Sequence, residues 1–250
     1  MDELILETTG LTKDFRGFTA VSGVDLKVRR GTVHALIGPN GAGKTTVFNL
    51  LTKFMEPSAG RIQFNGRDIT GARAADVARL GMVRSFQISA VFPHLSLREN
   101  VRIALQRPLG TSFQFWRSAK SLDILADEVE ALLADVGLDT LADLAAAELP
   151  YGRKRALEFA TTLALAPELL LLDEPMSGLG QEDIGRISAL IRRAAAKRTV
   201  LMVEHNLSVV ADLSDTITVL TRGQILAEGS YAEIAARADV REAYLGTGHA

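Results

Sequence analysis

The stretch from Val33 to Thr45 limits this chain more than any other part of it. Val33 to Ile37 reads as a buried strand and runs straight into Gly38-Pro39-Asn40-Gly41-Ala42-Gly43-Lys44-Thr45. Beyond that turn, Val47, Leu50, Leu51 and Phe54 recur at helical spacing. A buried strand, a glycine-rich turn and a helix in that order call for a parallel sheet covered by helices. The turn also fits G-x-x-x-x-G-K-[ST] in full. Its glycines let backbone N–H groups curl around phosphate oxygens, where Cβ atoms would obstruct them. The helix behind presents its positive end to the same anion. Lys44 is expected to reach the β- and γ-phosphates of a nucleotide and the Thr45 hydroxyl to ligate Mg²⁺. The expected nucleotide-binding set runs through Gly38, Pro39, Asn40, Gly41, Ala42, Gly43, Lys44, Thr45 and Thr46.

Leu169-Leu170-Leu171-Leu172-Asp173-Glu174 carries the second signal. Four leucines make a strand buried on both faces, and two carboxylates emerge at its C-terminal end, where open α/β sheets bind ligands. Asp173 is expected to hold Mg²⁺ through water, leaving Glu174 to orient or deprotonate an attacking water. The second carboxylate favours hydrolysis over binding alone.

Around these two motifs the chain divides by pattern. Leu4–Thr8 and Val24–Val28 read as strands, and Asn65-Gly66 and Arg222-Gly223 as hairpin turns. From about Phe92 to Leu149 the pattern is helical, with Ile124, Leu125, Val129, Leu132, Leu133 and Val136 on one apolar face before Gly137. Helix and strand then alternate: 155–166, 169–173, 181–197 and 199–204. The expected organisation is one domain over 1–250. Residues 1–87 and 156–228 form an α/β P-loop core with an antiparallel β-subdomain, 88–155 a helical subdomain, and 229–250 a helical tail.

Composition excludes several function classes. Lys and Arg number 28 against 30 acidic residues, a net charge of −2, which argues against nucleic acid as a partner. Without cysteine there is neither a disulfide nor a cysteine-ligated zinc. The first ten residues lack the features of a secretory signal. Leu163 to Leu172, the most apolar stretch, is broken by Pro167 and Glu168 and is too short to span a bilayer. Any membrane role is therefore expected to be peripheral.

The order of the P-loop, Gln87, Leu149-Pro150-Tyr151-Gly152-Arg153, Asp173-Glu174 and His205 resembles the nucleotide-binding domain of ABC transporters over almost the whole chain. That resemblance implies an ATPase with ATP and Mg²⁺ as ligands. It makes Gln87 a further Mg²⁺ ligand whose loop senses a membrane partner, and His205, like Glu174 a catalytic residue, the histidine that contacts the γ-phosphate. Phe15 becomes the ring that stacks on adenine, a contact worth about 1–3 kcal/mol; a place in the small-sheet core is the other reading. Residues 149–153 stand where the family carries LSGGQ, the signature loop that contacts ATP held by a second ATPase subunit, in a homodimer or heterodimer. Pro150 brings neither a serine hydroxyl nor an N–H, and Met176-Ser177-Gly178-Leu179-Gly180 lacks the aspartate many relatives carry. Both departures imply that the two ATP sites of a heterodimer would be unequal.

Gly81-Met82-Val83-Arg84-Ser85-Phe86-Gln87, the Tyr-Gly signature, Val203-Glu204-His205-Asn206 and Ala243-Tyr244-Leu245-Gly246 are similar to ATP-binding subunits of branched-chain amino acid importers. The implied partners are transmembrane permease subunits and, indirectly, a periplasmic solute-binding protein, and the implied location is cytoplasmic, peripheral on the inner face of the plasma membrane. Urea or amide import, lipid or lipopolysaccharide export, and a nucleotide-binding scaffold that does not hydrolyse ATP remain open alternatives. Phe113, Phe115 and Trp116 form either a docking patch or a cap on the helical subdomain.

Overall fold

The computed structural model describes residues 3–85, 91–107 and 124–245; Gln87, Phe113, Phe115 and Trp116 lie outside the described residues. The chain forms two units, one of residues 1–84, 168–175 and 191–250, the other of 85–167 and 176–190.

The first unit is built on a six-stranded sheet. Its strands, by position in the chain, are β4 (Val33–Ile37), β7 (Met82–Ser85), β8 (Leu169–Asp173), β9 (Thr199–Val203), β10 (Thr216–Thr221) and β11 (Gln224–Gly229). They lie in the order β11-β10-β4-β9-β8-β7. β10, β4, β9 and β8 pair in parallel. Every residue of β4, β8 and β9 is buried. That is why they read as continuous apolar runs rather than alternating ones.

A second, antiparallel sheet carries β1 (Leu4–Phe15), β2 (Phe18–Val24), β3 (Lys27–Arg29), β5 (Ala59–Phe64) and β6 (Arg67–Asp68), ordered β2-β1-β5-β6 with β3 also on β1. β1 extends well beyond the expected Leu4–Thr8. Its pairing with β5 shifts register between Thr9 and Thr12, at Gly10 with φ +60°, and its later residues pair with β2. The break in alternation at Thr8-Thr9-Gly10 is thus an irregularity inside one strand, not its end. The two expected hairpins form at Asn65-Gly66 and Arg222-Gly223, and a third, not anticipated, turns at Arg16-Gly17; both residues of each pair have positive φ.

Between the sheets runs α1 (Lys44–Leu51), whose Val47, Phe48, Leu50 and Leu51 are fully buried in one core with Leu6, Leu11, Ile62, Phe64, Leu171 and Leu201. Phe54, expected on this face, is 60% exposed because the helix ends at Leu51 and Lys53 turns into φ +60°. The short α2 (Ala74–Arg79) precedes β7.

In the second unit α3 (Leu97–Leu105), α4 (Ala126–Asp135) and α5 (Tyr151–Leu163) pack together. Ser96 and Glu99 close a capping box on α3. Leu125, Val129, Leu133 and Val136 are buried as expected, but Ile124 is 83% exposed, because it precedes the first turn of α4. Past α4, Gly137 takes φ +70° and Leu138 N–H donates to Leu133 O at 2.8 Å, closing the helix end. α5 starts at Tyr151, four residues before the expected Arg155, because Pro150 needs no N–H at the helix entry. α6 (Gln181–Ala195) and α7 (Leu207–Leu213) follow β8 and β9, and the chain closes with α8 (Tyr231–Ala236) and α9 (Ala238–Leu245).

Candidate functional site

In the first unit the C-terminal ends of β4, β8 and β9 bring the chemistry-bearing side chains together. β4 delivers the glycine-rich turn. Gly38 lies so close to β10 that a Cβ there would sit 2.1 Å from Leu220 O, so the residue must be glycine. Gly43 caps α1 in the left-handed region at φ +103°, with no side chain bonded to the first-turn amides. Those N–H groups are left for an anion. Lys44 is buried, and its Nζ donates to Gly38 O at 2.7 Å and Pro39 O at 3.0 Å. Burial pushes its pKa down, while Glu174 and Asp173 pull it back up. A cation held by carbonyls over this turn is ready to exchange them for phosphate oxygens.

β8 ends on Asp173, whose Oδ2 accepts from Arg84 Nη2 on β7. Asp173 Oδ1 is buried without a hydrogen-bond partner among the described residues. Glu174 follows in the left-handed region at φ +49°, a costly conformation for a residue with a Cβ. Its N–H still donates to Val203 O at 2.9 Å, which ties it to the end of β9. Beyond β9, Glu204 Oε1 accepts from the backbone N–H groups of His205 at 2.8 Å and Asn206 at 3.0 Å. Asn206 caps α7 with its side chain. These contacts hold His205, and its Nε2 donates to Glu174 Oε1 at 2.6 Å. The structure therefore unites Lys44, Asp173, Glu174 and His205, drawn from three buried strands.

The donor set suits Mg²⁺ in one particular way. No group of three His, Asp or Glu side chains able to hold a metal exists among the described residues. Mg²⁺ needs few protein ligands, because it keeps waters and binds substrate phosphates. The orphaned Oδ1 of Asp173 is an acceptor that a metal-bound water would satisfy. Asp173 and Thr45, beside Lys44 in α1, would hold Mg²⁺, whose positive charge would offset that of the phosphates.

Phe15 stands at the end of β1, 43% exposed, with Lys13 Nζ 5.4 Å from its ring centroid. It is not a small-sheet core residue. β2 abuts the glycine-rich turn, since Ser22 N–H donates to Gly223 O at 2.8 Å and Gly223 N–H to Ala42 O at 2.9 Å. Tyr244 of α9 entered the sequence reading only within Ala243-Tyr244-Leu245-Gly246, with no role at the site. The backbone of Gly38 hydrogen-bonds to its hydroxyl, and burial pushes its pKa up to about 12. That ending spoke for a family resemblance, and nothing in its pattern points at the glycine-rich turn.

The signature stretch lies in the second unit. Pro150 is the N-cap of α5, again with no side-chain cap. Tyr151 is 47% exposed; its hydroxyl accepts from Arg155 Nη2 at 2.9 Å, and the guanidinium carbon is 5.3 Å from its ring centroid. A Cβ on Gly152 would fall 2.1 Å from Asp183 Oδ2 of α6, so any larger residue there must push that carboxylate aside.

Comparison with known proteins agrees with this geometry. The sequence pattern of the ABC transporter family matches residues 21–177, and that of the branched-chain amino acid ATP-binding cassette transporters matches 224–250. The chain is 40% identical to the high-affinity branched-chain amino acid transport ATP-binding protein BraF of Pseudomonas aeruginosa, covering 98% of this chain and 99% of that one. It is 37% identical to LivG of Escherichia coli K12, a protein of the same description, with the same coverage. Among solved structures, the ADP conformation of MJ1267, an ATP-binding cassette of an ABC transporter, superposes with a TM-score of 0.85 at 30% identity, covering 98% of this chain and 99% of that one. Among the described residues no helix is long and apolar enough to cross a membrane. The chain belongs to the ABC transporter family of ATP-binding proteins, in its branched-chain amino acid group.

Proposed function

We propose that this ATPase powers import of branched-chain amino acids through membrane-embedded permease subunits, fed by a periplasmic solute-binding protein. The observation that carries the hydrolytic half of this reading is the His205–Glu174 contact at 2.6 Å, beside Asp173 and Lys44. Glu174 orients and accepts a proton from the attacking water, and His205 keeps that carboxylate in place and meets the γ-phosphate. Backbone N–H groups from Gly38 to Thr45, with Lys44 and Thr46, hold the nucleotide phosphates, and Phe15 stacks on the base. Asp173, Thr45 and Gln87 would hold Mg²⁺, supplying positive charge at the phosphates. The transport half rests on the likeness to BraF and LivG along the whole chain.

Leu149 to Arg153 complete the ATP site of a second ATPase subunit, so nucleotide joins two subunits and hydrolysis releases them. The bare N-terminus of α5 supports this, since its amides are free to meet a γ-phosphate. Solute choice resides in the permease and the binding protein. The test is uptake of labelled leucine, isoleucine and valine by cells whose only copy carries Glu174→Gln. Collapse of all three, with ATP binding retained, supports the reading. Unchanged uptake removes the solute assignment and turns attention to urea, amides and lipid export.

A further inference from the structure

Arg84 sits where three elements of the first unit meet, and the chemistry described so far does not use it. It lies on β7, three residues before Gln87. Its side chain is 11% exposed and that of Asp173 is 0%. Nη2 donates to Asp173 Oδ2, Nη1 donates to Asn49 Oδ1 of α1 at 2.7 Å, and the guanidinium carbon lies 5.7 Å from the ring centroid of Phe48, also on α1. One planar fork is thus bound to the phosphate-loop helix at one tine and to the end of β8 at the other. Lys44 cannot do this work, because its Nζ is directed to the carbonyls of Gly38 and Pro39. A carboxylate this deeply buried needs a charged donor beside it to offset its lost hydration. Its orientation also matters, because only one oxygen is left without a protein donor.

We infer that Arg84 is a positioning residue for Asp173: by occupying Oδ2 it turns Oδ1 toward the Mg²⁺–nucleotide. This rests on the assignment of Asp173 to Mg²⁺. The fork is essential, since a lysine ammonium is a point charge that cannot hold Asn49 and Asp173 in one plane. Asn49 acts one step further out, by fixing the guanidinium that fixes the carboxylate.

The test uses the full chain and a fluorescent ATP analogue, titrated first in EDTA and then with Mg²⁺ at fixed nucleotide. Arg84→Ala should raise the Mg²⁺ concentration for half-saturation about tenfold, the loss of one charge-assisted hydrogen bond. Affinity in EDTA should stay within about twofold, since no phosphate contact is touched. Arg84→Lys should fall between Ala and wild type, and Asn49→Ala should shift half-saturation a few-fold in the same direction. A lower Tm with unchanged Mg²⁺ half-saturation would reduce Arg84 to a structural ion pair, and a lower half-saturation would make it a competitor of the metal; either overturns the inference. If Arg84→Ala does not fold, Arg84→Lys and Asn49→Ala decide by the same readout. Asp173→Ala is the control. Should it leave the Mg²⁺ response intact, the metal assignment falls and this inference with it. A shift in that control with none in the Arg84 variants overturns the inference alone.

Discussion

α1 and α5 both begin without a side-chain cap, yet their N-termini are equipped differently. At α1 the cap is Gly43 in the left-handed region, followed at once by a buried lysine and preceded by a turn pressed against β10. A cation, free amides and a shaped cradle all belong to one strand–turn–helix unit. At α5 the cap is Pro150, followed by an exposed tyrosine, and α6 leans on Gly152 through Asp183. That end has uncapped amides, and its nearly buried cation, Arg155, is already paired with Glu158 at 3.0 Å. A helix N-terminus alone holds an anion weakly, by about 0.3–1 kcal/mol when exposed. The first site should therefore bind nucleotide unaided, whereas the second should matter only when a partner brings the nucleotide to it.

The largest expected effect tests the first half of that comparison. Lys44→Ala should lower ATP turnover about a hundredfold or more, as removal of a preorganised charge from a transition state does, whereas Arg153→Ala should leave ATP affinity of the isolated subunit within about twofold. A phosphate-release assay of Lys44→Ala and isothermal titration of both variants check this, and equal losses of affinity would erase the distinction. Gly152→Ala comes next. Its Cβ must push the Asp183 carboxylate aside and disturb its 3.0 Å pair with Arg186, at a cost of about 1 kcal/mol. ATP-dependent dimers of the Glu174→Gln protein should weaken on light scattering while nucleotide affinity holds. Asp183→Ala in the same chain should restore much of the dimer.

Acid should separate the two regions as well. His34 in β4, the strand that feeds the glycine-rich turn, is buried, and its pKa is lowered to about 4 by burial first and Arg29 second. Thr218 Oγ1 donates to Glu228 Oε2 at 2.7 Å and so accepts from His34 Nε2–H at 2.7 Å, which suits the neutral ring. The unfolded chain takes up a proton below about pH 6.5 that the folded chain refuses until about 4. Stability should thus be fully retained above pH 6.5, fall as pH drops through that window, and level off below it. Urea unfolding should show a loss of about 1 kcal/mol between pH 7.5 and 5.5 that His34→Gln removes. The smallest effect concerns the second site. Pro150→Ser supplies a capping hydroxyl and should stabilise α5 by about 0.5–1 kcal/mol, read as a rise in Tm. If the same change also equalises ATP occupancy in a mixed dimer, the proline accounts for the asymmetry.

Composition, periodicity and motif spacing determined more of this protein than its folded contacts did. Val33–Ile37 and Leu169–Asp173 were readable to the residue, because a strand buried on both faces carries no polar alternation to confuse its ends. The glycine-rich turn and the paired carboxylates were legible for a related reason: each needs particular residue types at fixed spacing. β1 was misjudged in length, Ile124 in burial and the end of α1 at Phe54, since local pattern does not say where a strand changes partner or where a helix stops packing. Only the tertiary structure brought His205 onto Glu174 across 31 residues of chain, and Arg84 onto Asp173 across 89. Neither arginine nor histidine has a periodicity to announce its partner. Such pairs exist because parallel strands distant in the chain end side by side, and the order of strands in a sheet is set by the packing of the whole unit.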